Sequence, residues 1–297
     1  MSRLLYRLGI NAYSLLIRFA APFHPKARRF IRGRKNLFNF LETTFNRQNR
    51  PVAWFHCASL GEFEQARPLL ESFREQHPDY FVLLTFFSPS GYEVRKNYPL
   101  AEAVSYLPED GPDTASRFVA VVKPAIAFII KYEFWHYYLL ELQKQGIPVF
   151  SVSAIFRRDQ LFFKKQGGFY RSILKRFTHL FTQDTNSLEL LQSAGIANAS
   201  VSGDTRFDRV ASLYDQRKPV EVAERFAKGH RVLVVGSSWP HDIEVIAQVL
   251  NIFMYPLKII IAPHEISEAN IAHIAKHFPA RKMMRYSEAG DKLPEAH

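Results

Sequence analysis

Cysteine is almost missing from this chain: Cys57 is the single one among 297 residues. That excludes an internal disulfide and the multi-cysteine zinc sites, and it fits a reducing compartment. The eleven histidines show no metal-ligand spacing of the HExxH kind. Acidic residues are absent from the first 41 positions. Long apolar runs are short too. The longest charge-free run of the N-terminal segment, Leu8 to Ile17, is ten residues, well under the roughly 20 needed to span hydrocarbon. There is no internal repeat and no low-complexity segment.

What is present describes a folded protein. Hydrophobic residues make up 47%, charged residues 23% and aromatics 14%, with 26 Phe, so a sizeable Phe-rich core is expected. The net charge of +11 is unevenly placed. Arg3, Arg7, Arg18, Lys26, Arg28, Arg29, Arg32, Arg34 and Lys35 precede the first acid, which leaves the body near neutral. Such an arm localises a protein. At helical period Arg3, Arg7, Asn11, Ser14 and Arg18 fall on one face, and Leu4, Leu5, Leu8, Ala12, Leu15, Leu16 and Phe19 on the other. A helix of this kind lies in a membrane interface, and the Lys26–Lys35 cluster adds about 1 kcal/mol per basic residue on an anionic surface. The alternatives are a helix docked on the body, a cleaved signal peptide, whose apolar run charge would interrupt early, and nucleic-acid binding, for which no motif is present. The membrane surface is the reading adopted, with no nucleic-acid partner.

From residue 51 short β-rich runs alternate with helical patterns. Strands are expected at Val52–Cys57, Tyr80–Phe86, Ala103–Leu107, Ala125–Ile130, Pro148–Val152, His179–Thr182 and Ala199–Ser202. Helices are expected at Glu62–Gln76, Pro112–Val122, Trp135–Gln145 and Ser187–Ala194. Runs apolar on both faces and separated by helices make a parallel sheet covered on two sides. A charged helical stretch, 210–229, leads into strands Arg231–Val235 and Lys258–Ile261 with helices Asp242–Asn251 and Ser267–His277. The expected division is an arm at 1–35, an α/β domain at 36–209 and a second one at 210–297. Two strands fall short of a doubly wound domain, so the second reads as the start of one.

Ligands bind beyond the carboxyl ends of strands in open α/β sheets, and polar residues gather there. Ser59, Gly61 and Glu62 follow the first strand and open a helix, whose N-terminus offers free N–H groups. Glu62 can act there as a base, or Ser59 or Glu62 can simply cap the helix. Glu133 sits among aromatics in Lys131-Tyr132-Glu133-Phe134-Trp135, where desolvation tunes a carboxylate; a solvated helix-start Glu is the other reading. Arg157 and Arg158 form a candidate anion clamp or an ordinary surface pair. Arg206 lies in Gly203-Asp204-Thr205-Arg206-Phe207-Asp208 at the domain junction. Gly236, Ser237 and Ser238 are expected to open a helix and to hold a phosphate on its N–H groups.

In order, HCASLGEFEQ, YLPEDGP, YEFW, TQDTNSLELLQSAGI, GDTRFD, VGSS and IAPH resemble the 3-deoxy-D-manno-octulosonic acid (Kdo) transferases of lipopolysaccharide synthesis, essentially from residue 4 onward. The resemblance implies a GT-B fold, two Rossmann-like domains with a cleft between them and an N-terminal interfacial helix. It implies transfer of Kdo from CMP-Kdo to a lipid A precursor, lipid IVA, by a peripheral protein on the cytoplasmic face of the inner membrane, with no metal and no cofactor. By motif, Glu62 would be the general base, Glu133 and Arg206 would stabilise the transition state, and Pro263 and His264 would lie against the nucleotide. The Kdo carboxylate would fall to Arg157 or Arg158.

Some positions depart from the family. Lys131-Tyr132-Glu133 replaces Glu-Thr-Glu, and Ser153-Ala154-Ile155-Phe156-Arg157 replaces Asn-Ala-Arg-Leu-Ser. Arg206 replaces Lys, which changes geometry at constant charge. His264 replaces Arg, which weakens phosphate contact at neutral pH. The glycine-rich loop and Asn-x-x-Glu segment that complete the family's nucleotide site are expected beyond His297. Two alternatives follow: a membrane-surface GT-B protein using another nucleotide sugar, or a non-catalytic scaffold that keeps the fold.

Overall fold

A computed structural model describes residues 2–215, 218–250, 252–253 and 255–289. Two compact units divide the chain, 1–215 and 216–297.

The first unit begins with three helices, α1 (Ser2–Ala20), α2 (Pro25–Arg34) and α3 (Leu37–Phe45). Strands and helices then alternate: β1 (Val52–Cys57), α4 (Leu60–Gln76), β2 (Phe81–Phe86), α5 (Pro89–Arg95), β3 (Ala103–Tyr106), α6 (Pro112–Val122), β4 (Pro124–Ile130) and α7 (His136–Lys144). They continue through β5 (Val149–Ala154), α8 (Gly168–Leu174), β6 (His179–Thr182), α9 (Thr185–Ser193), β7 (Ala199–Val201) and α10 (Arg206–Asp215). The strands form one seven-stranded sheet in the order β3-β2-β1-β4-β5-β6-β7, and every pairing is parallel.

Burial on both faces explains the continuous apolar strands. All six residues of β1 are buried, and the pleat sends them alternately to two cores. Val52 and Trp54 join Leu83, Phe118, Tyr138 and Leu180 on one side. Ala53, Phe55 and Cys57 join Phe63, Leu70 and Phe86 on the other. Strand β5 is interrupted: its register shifts between Ser151 and Ala154, where Ser153 adopts φ +53°, a left-handed conformation costly for a residue with a Cβ.

The N-terminal segment forms two helices with a turn at 21–24 between them, so most of the basic cluster is itself a helix, α2. Helix α1 turns Tyr6, Ile10, Ser14 and Ile17 toward cover. Ser14, which the helical wheel groups with the polar residues, is buried, because its small side chain lets the helix approach closely. Leu4, Leu5, Leu8, Leu15, Leu16 and Phe19 stay exposed, Leu16 at 67%. Arg34 also departs from a purely electrostatic arm. Its guanidinium donates to the carbonyls of Leu107 at 3.0 Å and Phe87 at 2.8 Å and lies 3.6 Å from the Phe30 ring centroid. Among the described residues no helix is long and apolar enough to cross a membrane.

The second unit holds α11 (Glu221–Ala227), β8 (Arg231–Ser238), α12 (Pro240–Leu250), β9 (Leu257–Pro263) and α13 (Glu268–His277). Strands β8 and β9 pair in parallel. Ile243, Ala247 and Leu250 of α12 form its core with Ile274 of α13 and Phe278.

Candidate active site

Strand β1 is the switch point of the first sheet, flanked by β2 and β4, and the chain leaving β1 and the chain leaving β4 depart toward opposite edges. Glu62 follows β1 and Glu133 follows β4. A crevice at such a point is where α/β sheets take ligands.

Glu62 stands at the third position of α4, whose N-cap is Ser59. Its carboxylate reaches back and accepts from the Ala58 N–H and the Ser59 N–H, the carboxylate half of a capping box. The Ser59 hydroxyl makes no capping bond. Glu62 therefore caps the helix and is also tuned as an acid–base group. Burial first, and then the negative charge of Glu133, push its pKa up to about 7, against the pull of the two N–H groups and Lys131. A proton-accepting carboxylate near neutrality is what general-base chemistry requires. Above it, a Cβ added to Gly61 would meet nothing within 4 Å, so the N-terminal turn of α4 is open to a ligand.

Glu133 is held from behind. Its Oε2 accepts from Trp135 Nε1 at 2.7 Å and faces His56 Nε2 at 3.3 Å. The other His56 nitrogen lies 2.8 Å from Thr85 Oγ1, which also receives the Trp54 Nε1–H at 2.8 Å. A carboxylate only accepts, so the His56 Nε2–H donates to Glu133, while the Thr85 hydroxyl lies between His56 Nδ1 at 2.8 Å and the Phe55 carbonyl at 3.4 Å. A chain of side chains thus runs Trp54, Thr85, His56, Glu133. Lys131, at the end of β4, adopts φ +63°, and strain of this kind in a non-glycine residue concentrates at functional sites. Its ammonium lies 5.6 Å from the Tyr132 ring centroid.

Arg206 is presented by a pinned loop. Its guanidinium makes two bonds to Asp204 Oδ2, at 2.8 and 2.5 Å, and Asp204 accepts from Gln65 Nε2 at 2.8 Å. Thr205 Oγ1 donates to the Gln65 carbonyl at 2.7 Å and meets Ser153 Oγ at 2.9 Å. Gln65 follows Glu62 by three positions on α4, so the Arg206 loop and Glu62 share one support. The Arg206 side chain is 58% exposed, and Tyr132 is among the groups acting on its charge. Arg157 and Arg158 are exposed, and no described contact joins their side chains to Glu62 or Glu133.

In the second unit β8 runs on through Gly236, Ser237 and Ser238, so those residues end a strand, and α12 opens at Pro240. The expected phosphate cradle is altered by this. The Trp239 N–H at the helix start donates to Asp242 Oδ2 at 2.8 Å. Pro263 and His264 do come beside the Gly236–Ser238 segment. Ser237 Oγ lies 3.0 Å from His264 Nδ1, the His264 N–H donates to the Ser238 carbonyl at 2.9 Å, and Trp239 stacks on His264 at 4.2 Å.

Sequence reasoning passed over His56, Thr85 and Trp135. His56 carried a signal: it is the one basic side chain in the wholly buried strand Val52–Cys57, and a buried polar group needs a partner.

The family model described as 3-deoxy-D-manno-octulosonic-acid transferase (kdotransferase) matches residues 29–209, more than half of the chain. The chain belongs to this family. It is 24% identical over 204 residues to the 3-deoxy-D-manno-octulosonic acid transferase of Rickettsia bellii, covering 68% of this chain and 49% of the relative. It is 26% identical over 228 residues to that of Chlamydia muridarum, covering 73% and 52%, and 25% identical over 223 residues to that of Aquifex aeolicus, covering 73% and 56%. The chain therefore spans about half the length of these Kdo transferases. Among solved structures it resembles UDP-GlcNAc 2-epimerase from Neisseria meningitidis bound to UDP-GlcNAc, with a TM-score of 0.57 and 13% identity over 80% of this chain and 73% of the other. The putative UDP-N-acetylglucosamine 2-epimerase from Listeria monocytogenes gives 0.54 and 11% over 78% and 67%. These likenesses carry the fold alone, and the fold is of the GT-B type. Glu62, Glu133 and Arg206 all lie in the region that matches the Kdo transferase family or at its edge.

Proposed function

We propose that this chain acts in transfer of Kdo from CMP-Kdo to the lipid A precursor lipid IVA, with Glu62 as the base. The observation that carries this is the half-buried Glu62 carboxylate, brought near neutrality beside the open face at Gly61. In the proposed step the acceptor hydroxyl gives its proton to Glu62 and its oxygen bonds to the anomeric carbon of Kdo. The bond from that carbon to the CMP phosphate breaks, and CMP leaves with the electron pair. Positive charge develops on the sugar and negative charge on the phosphate. Glu133, oriented by His56 and Trp135, faces the first, and Arg206 faces the second. Arg157 or Arg158 pairs with the Kdo carboxylate. Gly236, Ser237, Ser238, Pro263 and His264 belong to the nucleotide side.

The exposed leucines of α1 support a place on the membrane. Leu4, Leu5, Leu8, Leu15, Leu16 and Phe19 form an apolar face flanked by Arg3, Arg7 and Arg18, the pattern of a helix lying in the interface of the inner membrane on its cytoplasmic side. The Tyr6 and Ser14 side of the same helix stays with the body.

The test incubates the chain with CMP-Kdo and lipid IVA in anionic vesicles and follows Kdo-modified lipid. Transfer by the wild type that Glu62→Gln abolishes supports the proposal. No transfer, or equal transfer by both, overturns it. A donor panel in the same assay separates CMP-Kdo from another nucleotide sugar.

A further inference from the structure

Helices α12 and α13 bring together Glu244, His273 and His277, the only group of at least three metal-capable side chains found together among the described residues. One ligand atom from each lies within 4.8 Å of the other two. His273 and His277 are separated by four positions on one helix, which places both rings on the same face, and their centroids are 4.3 Å apart. Glu244 projects from the neighbouring helix, with Oε1 3.9 Å from His273 Nε2.

The hydrogen bonds around the group set its chemistry. His277 Nδ1 lies 2.8 Å from the His273 carbonyl oxygen. A carbonyl only accepts, so Nδ1 donates and Nε2 is the nitrogen that would ligate, as in metal-bound histidines whose second nitrogen is tied to the backbone. His273 Nε2 faces the Pro240 carbonyl at 3.3 Å and so bears a proton in the metal-free chain. A cation taking that nitrogen displaces the proton, which leaves the ring if Nδ1 is already protonated or moves there by tautomer exchange. His241, with Nδ1 3.2 Å from Glu244 Oε2, stands outside the group whose ligand atoms all approach within 4.8 Å.

We propose that Glu244, His273 and His277 form a divalent transition-metal site of the Zn2+ class, with water in the fourth position. Two imidazoles and one carboxylate suit Zn2+, Co2+ or Ni2+ and disfavour Mg2+ and Ca2+, which prefer all-oxygen sets. Ligands bound to Zn2+ at about 2.0–2.1 Å stand roughly 3.3 Å apart, so ligation draws the three side chains in. The Glu244 side chain, 46% exposed, is free to make most of that movement. The metal then staples α12 to α13, the two helices that supply the core of the second unit. Nothing in this site depends on the transfer reaction.

The experiment is calorimetric titration of the full chain with ZnCl2 and with MgCl2, run on wild type, Glu244→Gln and the double variant His273→Ala/His277→Ala. One Zn2+ is expected to bind per chain, with no Mg2+ binding under the same conditions. Affinity should fall more than about 10-fold in Glu244→Gln and on the order of 100-fold in the double variant. Zn2+ should raise the melting temperature of the wild type and of neither variant to the same extent. Co2+ in place of Zn2+ should give a visible spectrum that the double variant lacks. Zn2+ binding of equal affinity in all three proteins, or none in the wild type, overturns the site. Glu244→Gln changes a half-exposed side chain, so it keeps the result decisive even where the histidine replacements loosen α13.

Discussion

The Tyr6 hydroxyl donates a 2.7 Å hydrogen bond to Asp110, joining the first helix of the chain to a buried carboxylate 104 positions away. Asp110 uses its other contacts to accept the N–H groups of Tyr137 and Tyr138, each at 3.1 Å, and so caps α7. The Tyr6 ring packs against His136, Tyr137 and Phe169. Helix α1 is thus anchored to the element that directly follows Glu133 and Trp135. Removing the hydroxyl in Tyr6→Phe leaves the ring in place and one lone pair of a buried carboxylate unmet. A loss of about 1–2 kcal/mol is expected in urea unfolding, with a smaller loss in an Asp110→Asn background.

The same carboxylate makes stability depend on pH. Burial raises Asp110 from 3.8 to about 6, against the bonds from Tyr6 and the three backbone N–H groups of α7. The folded state therefore holds this proton more tightly than the unfolded state does. Its contribution is fully present below pH 3.8 and is lost as pH rises through about 6. Unfolding free energies of wild type and Asp110→Asn measured across that interval should diverge in this sense, the wild type losing stability relative to the variant as pH rises.

Neighbouring charges set Glu62 in opposite directions. Glu133 raises it and Lys131 lowers it. Under the proposed transfer reaction, the rate should climb with pH through about 7 as Glu62 loses its proton. Lys131→Met should move that rise to higher pH and Glu133→Gln to lower pH, whatever each does to the maximum rate. Glu62→Gln should reduce the maximum by about 10²–10⁴-fold. Parallel pH–rate profiles for the four proteins read all three effects, and shifts of the same sign for Lys131→Met and Glu133→Gln would contradict the assignment.

Gly33 marks a close approach of helix to sheet. A Cβ there would fall 2.0 Å from Cε2 of Tyr106, a ring that is buried. Gly33→Ala should cost about 1–3 kcal/mol through overpacking, although alanine favours a helix. Thermal unfolding of the variant checks the sign: a gain in melting temperature would mean that the ring moves aside freely.

The exposed leucines of α1 give a membrane prediction. Co-sedimentation with anionic vesicles should weaken at least 10-fold in Leu8→Glu/Leu16→Glu, since two large apolar side chains leave the interface. Salt should weaken wild-type binding as well. Tyr6→Phe, which leaves that face intact, should bind vesicles as the wild type does.

The strands were legible because burial on both faces leaves an unbroken apolar signature, as in Val52–Cys57. The place of Glu62 at the start of a helix after the first strand was legible, because Ser59 and Gly61 mark the turn; its role as a base belongs to the proposal. Other features depend on distant partners and leave no local trace. The bond from Tyr6 to Asp110 spans 104 positions. Arg34 looks like one more member of a basic cluster until the carbonyls of Phe87 and Leu107 are seen to receive it. The Ser237–Ser238 turn was read as a helix start, but β8 continues through both residues: Gly236 pairs with Ala262 and Ser238 with Pro263 across a bulge at Ser237, whose φ is +56°. His273 and His277 show helical spacing alone; their third partner, Glu244, lies on another helix.

Glu62 and Glu133 are rooted on two strands that pair directly, with His56 beside Ile129. Neither acid depends on a long connection for its place, and the intervening 70 residues return to the sheet before Glu133 begins. Lengthening the segment after α4 or before β3 would leave the separation of the acids unchanged, since the ladder of β1 and β4 acts as the ruler. The surrounding loops are free to diverge among relatives, and to reshape what is bound, while the pair of carboxylates keeps its gauge.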